Sequence, residues 1–262
     1  MLTARQIDEF VASGFVCLEQ AFSPALAEAG RDILWREMEL DPDDPSSWTQ
    51  PAVRLGMFGG SPWVEAANTP PLVAAYDQLA GPGRWLPPRA LGTFVVRFPS
   101  IEDAGDEGWH VDVSFGDSPD FMEWRANIVS RGRALLMLFL LSDVGESDAP
   151  TRIRKGSHRE VARLLAPAGD AGLTLRELAA RLDETEHCQE VPATGPAGSV
   201  YLCHPFLVHA AQRNRGLRPR FLAQPPLLPR EPLKIEREGD SDDYYSPVER
   251  AIREAVGLAR SA

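Results

Sequence analysis

One short stretch of the sequence carries residue types and spacing suited to metal chemistry: Gly108-Trp109-His110-Val111-Asp112. Alternate residues of an extended strand share a face, so His110 and Asp112 would project together, an imidazole beside a carboxylate. One more imidazole would complete the set of two histidines and one carboxylate that holds Fe(II) and leaves coordination positions open. Its source lies downstream in Tyr201-Leu202-Cys203-His204-Pro205-Phe206-Leu207-Val208-His209, where His204 and His209 compete. They are five positions apart, so on one continuous strand they face opposite ways. Beyond His209, Arg220 is a fixed cation able to grip a carboxylate in bidentate fashion. The His-x-carboxylate pair alone is weak evidence. Five histidines among 38 acidic residues in 262 positions give about 0.7 such matches by chance. In isolation His110-x-Asp112 reads equally well as a surface or structural pair.

Its company is more specific. Trp109-His110-Val111-Asp112 is followed by Asp148-Ala149-Pro150-Thr151-Arg152-Ile153-Arg154-Lys155-Gly156-Ser157-His158, by the stretch from Pro196 to His209, and by Asn214 and Arg220. In order and spacing these segments resemble the phytanoyl-CoA dioxygenase family of Fe(II)- and 2-oxoglutarate-dependent oxygenases, and the likeness runs from about Thr3 to Leu228. The resemblance implies a double-stranded β-helix, the cupin-like jelly roll, with Fe(II), 2-oxoglutarate and O2 as cofactor and co-substrates. It implies that His110, Asp112 and His209 are the iron ligands and that Arg220 binds the far carboxylate of 2-oxoglutarate. His204 then becomes a core or supporting histidine, and Arg220 is preferred to Arg218 for the co-substrate. Two positions depart from the family pattern. Lys155 stands where proline usually precedes Gly-Ser-His, and Ala211 stands where a hydroxyl residue often helps to hold the co-substrate. The carboxylate at Asp112 bears on the outcome, because related halogenases carry a small residue there to admit halide. Its presence favours hydroxylation, or another oxidation such as desaturation, of a small-molecule or acyl- or carrier-linked substrate.

Composition frames these expectations. With 44% hydrophobic and 25% charged residues the chain is that of an ordinary globular protein, long enough for a substantial core. We expect one oxygenase domain over residues 1–262: a helical N-terminal part to about 90, a jelly-roll core over about 91–228 and a C-terminal helix at about 247–260. The longest apolar run, residues 134–141, is far short of a membrane span, and the first residues lack the apolar core of a signal peptide. Three cysteines, an odd number, suit a reducing cytoplasm. A net charge of −11 argues against non-specific nucleic-acid binding. Nothing in the pattern specifies an oligomer.

The elements that must position these residues are legible in part. Thr3-x-x-Gln6, Thr174-x-x-Glu177 and Ser246-Pro247-x-Glu249 are helix-start signals. Ser23-Pro24 opens a helix to about Glu39, and residues 70–79 form another. The segment 41–60, rich in Asp, Pro, Ser and Gly, reads as a loop over the site. Strands are expected at 15–18, 91–98, 134–141, 198–203 and 221–224. His158 is expected in a turn bonded to the backbone, His187 in solvent, and Asp143, Asp148 and Asn214 in turns. Trp109 and Trp124 could wall a pocket or fill a core. Ten of the arginines in the β-rich half (Arg97, Arg131, Arg133, Arg152, Arg154, Arg159, Arg213, Arg215, Arg218 and Arg220) could draw in an anionic substrate. Two other functions remain: a cupin-like binder without turnover, and a non-redox zinc or manganese enzyme on the same ligands. Coupled consumption of oxygen and 2-oxoglutarate separates the oxygenase from both.

Overall fold

Local signals set the helix ends in the computed structural model, which describes residues 1–236 and 245–258. The helix Ala4–Ser13 starts at a reciprocal cap, Thr3 with Gln6, and stops at Gly14, whose φ of 85° suits a left-handed C-cap. Pro24–Met38 begins behind Ser23, and Pro70–Ala80 follows Thr69. Thr174 and Glu177 cap Leu175–Ala179 as expected, and Ser246 and Glu249 cap Pro247–Ala255. The C-terminal helix ends before the expected 260; positions 259 and 260 lie outside the described residues.

Two antiparallel sheets face each other. The larger runs Phe15–Leu18, Val200–Cys203, Leu135–Leu140, Arg220–Ala223, Phe94–Arg97, Ala52–Leu55, with Pro226–Leu227 also paired to Leu135–Leu140. The smaller runs Glu190–Ala193, Thr151–Arg154, His209–Ala210. This mainly β arrangement with flanking helices is the jelly roll that the sequence led us to expect.

Alternation decides which residues look inward. Leu136, Leu138, Leu140, Tyr201, Cys203 and Leu222 from the large sheet pack with Ile153 and Ala193 from the small one, forming the core between the sheets. The opposite face of the large sheet, with Leu135, Met137, Phe139, Leu202 and Phe221, packs under the helices. Leu135–Leu140 is therefore buried on both sides, which is why its sequence is apolar throughout instead of alternating.

Three expectations need correction. The segment 41–60 is not wholly loop: Ala52–Leu55 forms an edge strand of the large sheet, paired with Phe94–Arg97. The expected strand 91–98 is broken at Gly92, where backbone from Gly56 approaches so closely that a Cβ would lie 2.4 Å from a carbonyl oxygen. Ala90–Leu91 consequently pairs with Phe58–Gly59 instead. His158 lies not in a turn but in the first turn of the helix Ser157–Leu165, after Gly156 at φ 84°.

Candidate metal centre

Backbone pairing brings the three candidate ligands together. His209 lies opposite Ile153, an inward-facing core residue, so His209 faces the space between the sheets. Across its other edge, His209 exchanges two N–H···O bonds of 3.0 Å with His110. Residues so paired point to the same side, and Asp112 follows two positions later. The ligand atoms of His110, Asp112 and His209 all lie within 4.8 Å of one another. Nε2 of His110 is 3.9 Å and Nε2 of His209 is 3.8 Å from Oδ1 of Asp112. The imidazole ring centroids are 4.4 Å apart.

Both rings are oriented in the same way. Nδ1 of His110 lies 3.0 Å from the Gly108 carbonyl, and Nδ1 of His209 lies 3.0 Å from the Leu207 carbonyl. A carbonyl only accepts, so each Nδ1 carries the proton and each Nε2 turns a lone pair toward the cluster. Burial holds His209 neutral: desolvation and the neighbouring His110 push it down to about 4. Burial also works against charge on Asp112, but Arg133 and then the two histidines outweigh it and keep the carboxyl below its ordinary range. Two imidazoles with Nε2 turned toward an ionised carboxylate form a donor set that fits a divalent metal such as Fe(II). The His209 side chain is 2% exposed and that of His110 36%, so the cluster is closed behind His209 and open on the His110 side.

Arg220 lies on the inward face of its strand, in register with Arg97 and two residues from inward-facing Leu222. It is 2% exposed, whereas Arg218 is exposed. Nη1 donates to the Ala149 carbonyl at 2.9 Å, while Nε is buried without a partner. Burial, and then the adjacent Arg97, push its guanidinium down to about 9. Asp106 partly offsets the two cations, 2.6 Å from Arg97. A buried guanidinium with an orphaned donor beside a second cation fits an incoming carboxylate.

The remaining candidates have structural employment. His204 does not share a strand with His209: Val200–Cys203 ends before it, and the chain crosses to the small sheet. His204 is fully buried, accepts from the Phe206 N–H at Nδ1 and bonds the Val248 carbonyl through Nε2. His158 bonds the Val11 carbonyl, and His187 is exposed. Asn214 ties its turn to the Arg97 and Arg218 carbonyls, and Asp148 accepts from Gly145. Asp143 accepts from Ala197 across the fold instead of forming a local turn. The guanidiniums of Arg152 and Arg154 lie over the Trp109 ring, 4.6 and 4.3 Å from a ring centroid, and Trp124 donates to the Ser118 carbonyl. Arg133, 3.2 Å from Asp112, is only one of the ten arginines considered for an anionic substrate, and no local sequence signal marks it.

Comparison with known proteins agrees with this picture. The family model for phytanoyl-CoA dioxygenase (PhyH) matches residues 10–222. No curated protein matches the chain. EctD from S. alaskensis, solved with 2-oxoglutarate and 5-hydroxyectoine, is 24% identical with a TM-score of 0.57, over 85% of this chain and 74% of its own. HygX from Streptomyces hygroscopicus, solved with nickel and 2-oxoglutarate, is 19% identical with a TM-score of 0.52, over 86% of each chain. SnoK, a carbocyclase from nogalamycin biosynthesis, is 16% identical with a TM-score of 0.55, over 87% of this chain and 84% of its own. At these identities the solved structures speak for the fold, and the family match speaks for the chemistry. This chain belongs to the phytanoyl-CoA dioxygenase family, whose members are oxygenases that use Fe(II), 2-oxoglutarate and O2.

Proposed function

We propose that this protein is a non-haem Fe(II)- and 2-oxoglutarate-dependent dioxygenase that hydroxylates a small-molecule or acyl- or carrier-linked substrate. In this reading His110, Asp112 and His209 hold the metal, Arg220 grips the far carboxylate of 2-oxoglutarate, and one oxygenase domain carries the whole site. The observation that supports it most is the convergence of one carboxylate and two imidazoles, their Nε2 atoms turned inward, within 4.8 Å. When bound, the metal and co-substrate supply the oxygen chemistry, in which 2-oxoglutarate becomes succinate and CO2 and a substrate C–H bond is oxidised.

The protein's own part is orientation and exclusion. The Gly108 and Leu207 carbonyls fix both imidazole tautomers before any ligand arrives. Asp112 stays ionised, so no proton competes for its ligating oxygen near neutral pH. Arg220 is buried on the inward face of the large sheet, where a charge-assisted pair with a carboxylate is worth more than in water. The apolar core behind His209 keeps water from the closed side, and substrate approaches from the side of His110. Arg131, exposed and 5.4 Å over the Phe115 ring, supports an anionic substrate. Most of the other arginines find partners inside the protein, among them Arg154 with Leu182 and Thr185, and Arg213 with Glu107. No helix of the described residues is long and apolar enough to cross a membrane. The three unpaired cysteines, Cys17, Cys188 and Cys203, support a reducing cytoplasm.

The test is an anaerobic titration of the metal-free protein with Fe(II) and then 2-oxoglutarate, followed through the visible charge-transfer band of the chelate. The band should vanish in His209→Ala and persist in His204→Ala. Its absence from the intact protein would point to a non-catalytic binder or to a zinc or manganese enzyme. Coupled loss of oxygen and 2-oxoglutarate then identifies substrates.

A further inference from the structure

The two oxygens of Asp112 have different surroundings. Oδ1 faces the imidazoles, 3.9 Å from His110 and 3.8 Å from His209. Oδ2 faces Arg133, whose Nη1 is 3.2 Å away. Among the described residues Arg133 is the one arginine or lysine in ion-pair contact with this carboxylate. The contact is ionic and not an aligned hydrogen bond, because Nη1 and Nε of Arg133 are buried without hydrogen-bond partners. A guanidinium held this way pays in desolvation and is a poor device for stability alone.

Its backbone is fixed from several sides. Ser130, at φ 44°, accepts from the Arg133 N–H at 3.2 Å and donates its hydroxyl to the Arg133 carbonyl at 2.6 Å. Asn127 accepts from the Arg131 N–H at 3.0 Å, and Ala134 donates to the Leu227 carbonyl at 2.7 Å. The arginine therefore stands on a braced turn at the mouth of the central strand Leu135–Leu140, and its side chain is 12% exposed.

We propose that Arg133 is a positioning residue that occupies Oδ2 of Asp112, so that this carboxylate offers the metal one oxygen and not two. The inference rests on the metal site proposed above. Carboxylates bind cations through one oxygen or both, and the second oxygen takes a further coordination position. Fe(II) held by a facial triad keeps three positions, of which a 2-oxo acid chelate uses two. A chelating Asp112 would fill the last, and the co-substrate complex would have nowhere to take up a diatomic gas. Arg133 closes that route. It does so at some expense in metal affinity, because it draws on the same negative charge that attracts the metal.

Nitric oxide, which reports an open position on Fe(II), tests this. The parent, Arg133→Met and Arg133→Lys are loaded anaerobically with Fe(II) and 2-oxoglutarate, checked for the charge-transfer band, and exposed to nitric oxide. The parent should give the nitrosyl electron-paramagnetic-resonance signal. Arg133→Met should bind Fe(II) at least as tightly as the parent and keep the charge-transfer band, yet lose the nitrosyl signal. Arg133→Lys, which keeps a cation beside Oδ2, should recover it. A merely structural role would not separate metal and co-substrate binding from the nitrosyl signal. A full signal in Arg133→Met overturns the proposal, and so does loss of Fe(II) binding by a folded Arg133→Met. If Arg133→Met does not fold by circular dichroism, Arg133→Gln replaces it with the same expectations. Asp112→Ala and His209→Ala separate the two levels: if they bind Fe(II) as the parent does, the metal site itself is misassigned.

Discussion

Lowering the pH should destabilise this protein through a pair of buried histidines that lie away from the metal centre. His158 and His204 lie against each other with tilted rings, centroids 4.8 Å apart, and both are essentially inaccessible to solvent. His158 Nε2 donates to the Val11 carbonyl at 3.0 Å, while its Nδ1 has no partner. Gly14 lies so near that a Cβ there would be 2.5 Å from that nitrogen, so nothing can reach Nδ1 to stabilise a second proton. Burial accordingly pushes His158 from 6.5 down to about 3, and His204 falls well below its ordinary value for the same reason, with His158 adding to it. Between those limits the unfolded chain holds a proton on His158 that the folded protein refuses. Stability is therefore complete above pH 6.5 and falls as the pH drops toward 3, by about 1.4 kcal/mol per pH unit for each such histidine. From pH 7 to pH 5 His158 alone contributes about 2 kcal/mol of loss, a large share of a typical total of about 5–15 kcal/mol. His204 adds a loss of the same sign. Urea unfolding of the metal-free protein at several pH values between 5 and 7 measures this. His158→Gln keeps an amide donor toward Val11 and cannot titrate, so its stability should fall less steeply with acid by about one proton's worth of slope. The comparison cancels the carboxylates and the other histidines, which the two proteins share. Equal slopes would refute the reasoning.

Other perturbations address the site and the frame around it. Asp112→Ala should abolish substrate oxidation, measured as product and succinate; normal turnover without an added ligand would remove Asp112 from the metal site. Arg220→Ala should chiefly raise the 2-oxoglutarate requirement, by about 30-fold or more if a buried charged pair worth about 2–5 kcal/mol is lost. A steady-state titration of 2-oxoglutarate that leaves its KM unchanged would place the carboxylate elsewhere. Glu249, fully buried, pairs in bidentate fashion with Arg84 and accepts from the Ser246 N–H at 2.9 Å. Burial opposes its charge, yet Arg84 and the Lys234 and Ser246 N–H groups together outweigh that and hold the carboxyl below its usual range. Glu249→Ala should cost about 2–4 kcal/mol in denaturant unfolding, because it removes together the carboxylate paired with Arg84 and the acceptor of the Ser246 and Lys234 N–H groups. A loss under about 1 kcal/mol would show that water replaces the carboxylate there.

What the sequence made legible was what short-range rules govern. Three reciprocal caps, at Thr3, Thr174 and Ser246, lie where their spacing puts them, since a cap involves only residues within one turn. His110 and Asp112 come together as a pattern of two predicts, but not on a strand: the segment has only an isolated bridge at His110, and that bridge to His209 aims both imidazoles to one side. That bridge joins residues far apart in sequence, so composition and spacing could not choose His209 over His204. The family resemblance made the choice. The argument from opposite faces of one strand does not explain it, because the chain turns between the two histidines and changes sheet. The edge strand Ala52–Leu55 was hidden for a similar reason. Its residues are unremarkable within a Pro- and Ser-rich segment, and only its partner Phe94–Arg97 makes it a strand. Arg133 is the clearest case. Nothing near it in sequence separates it from nine other arginines, and its meaning comes from a carboxylate oxygen that a different loop delivers to within 3.2 Å. Ligands two residues apart can be read from a pattern of two; the cation that sets how a ligand binds is visible only when the chain has closed.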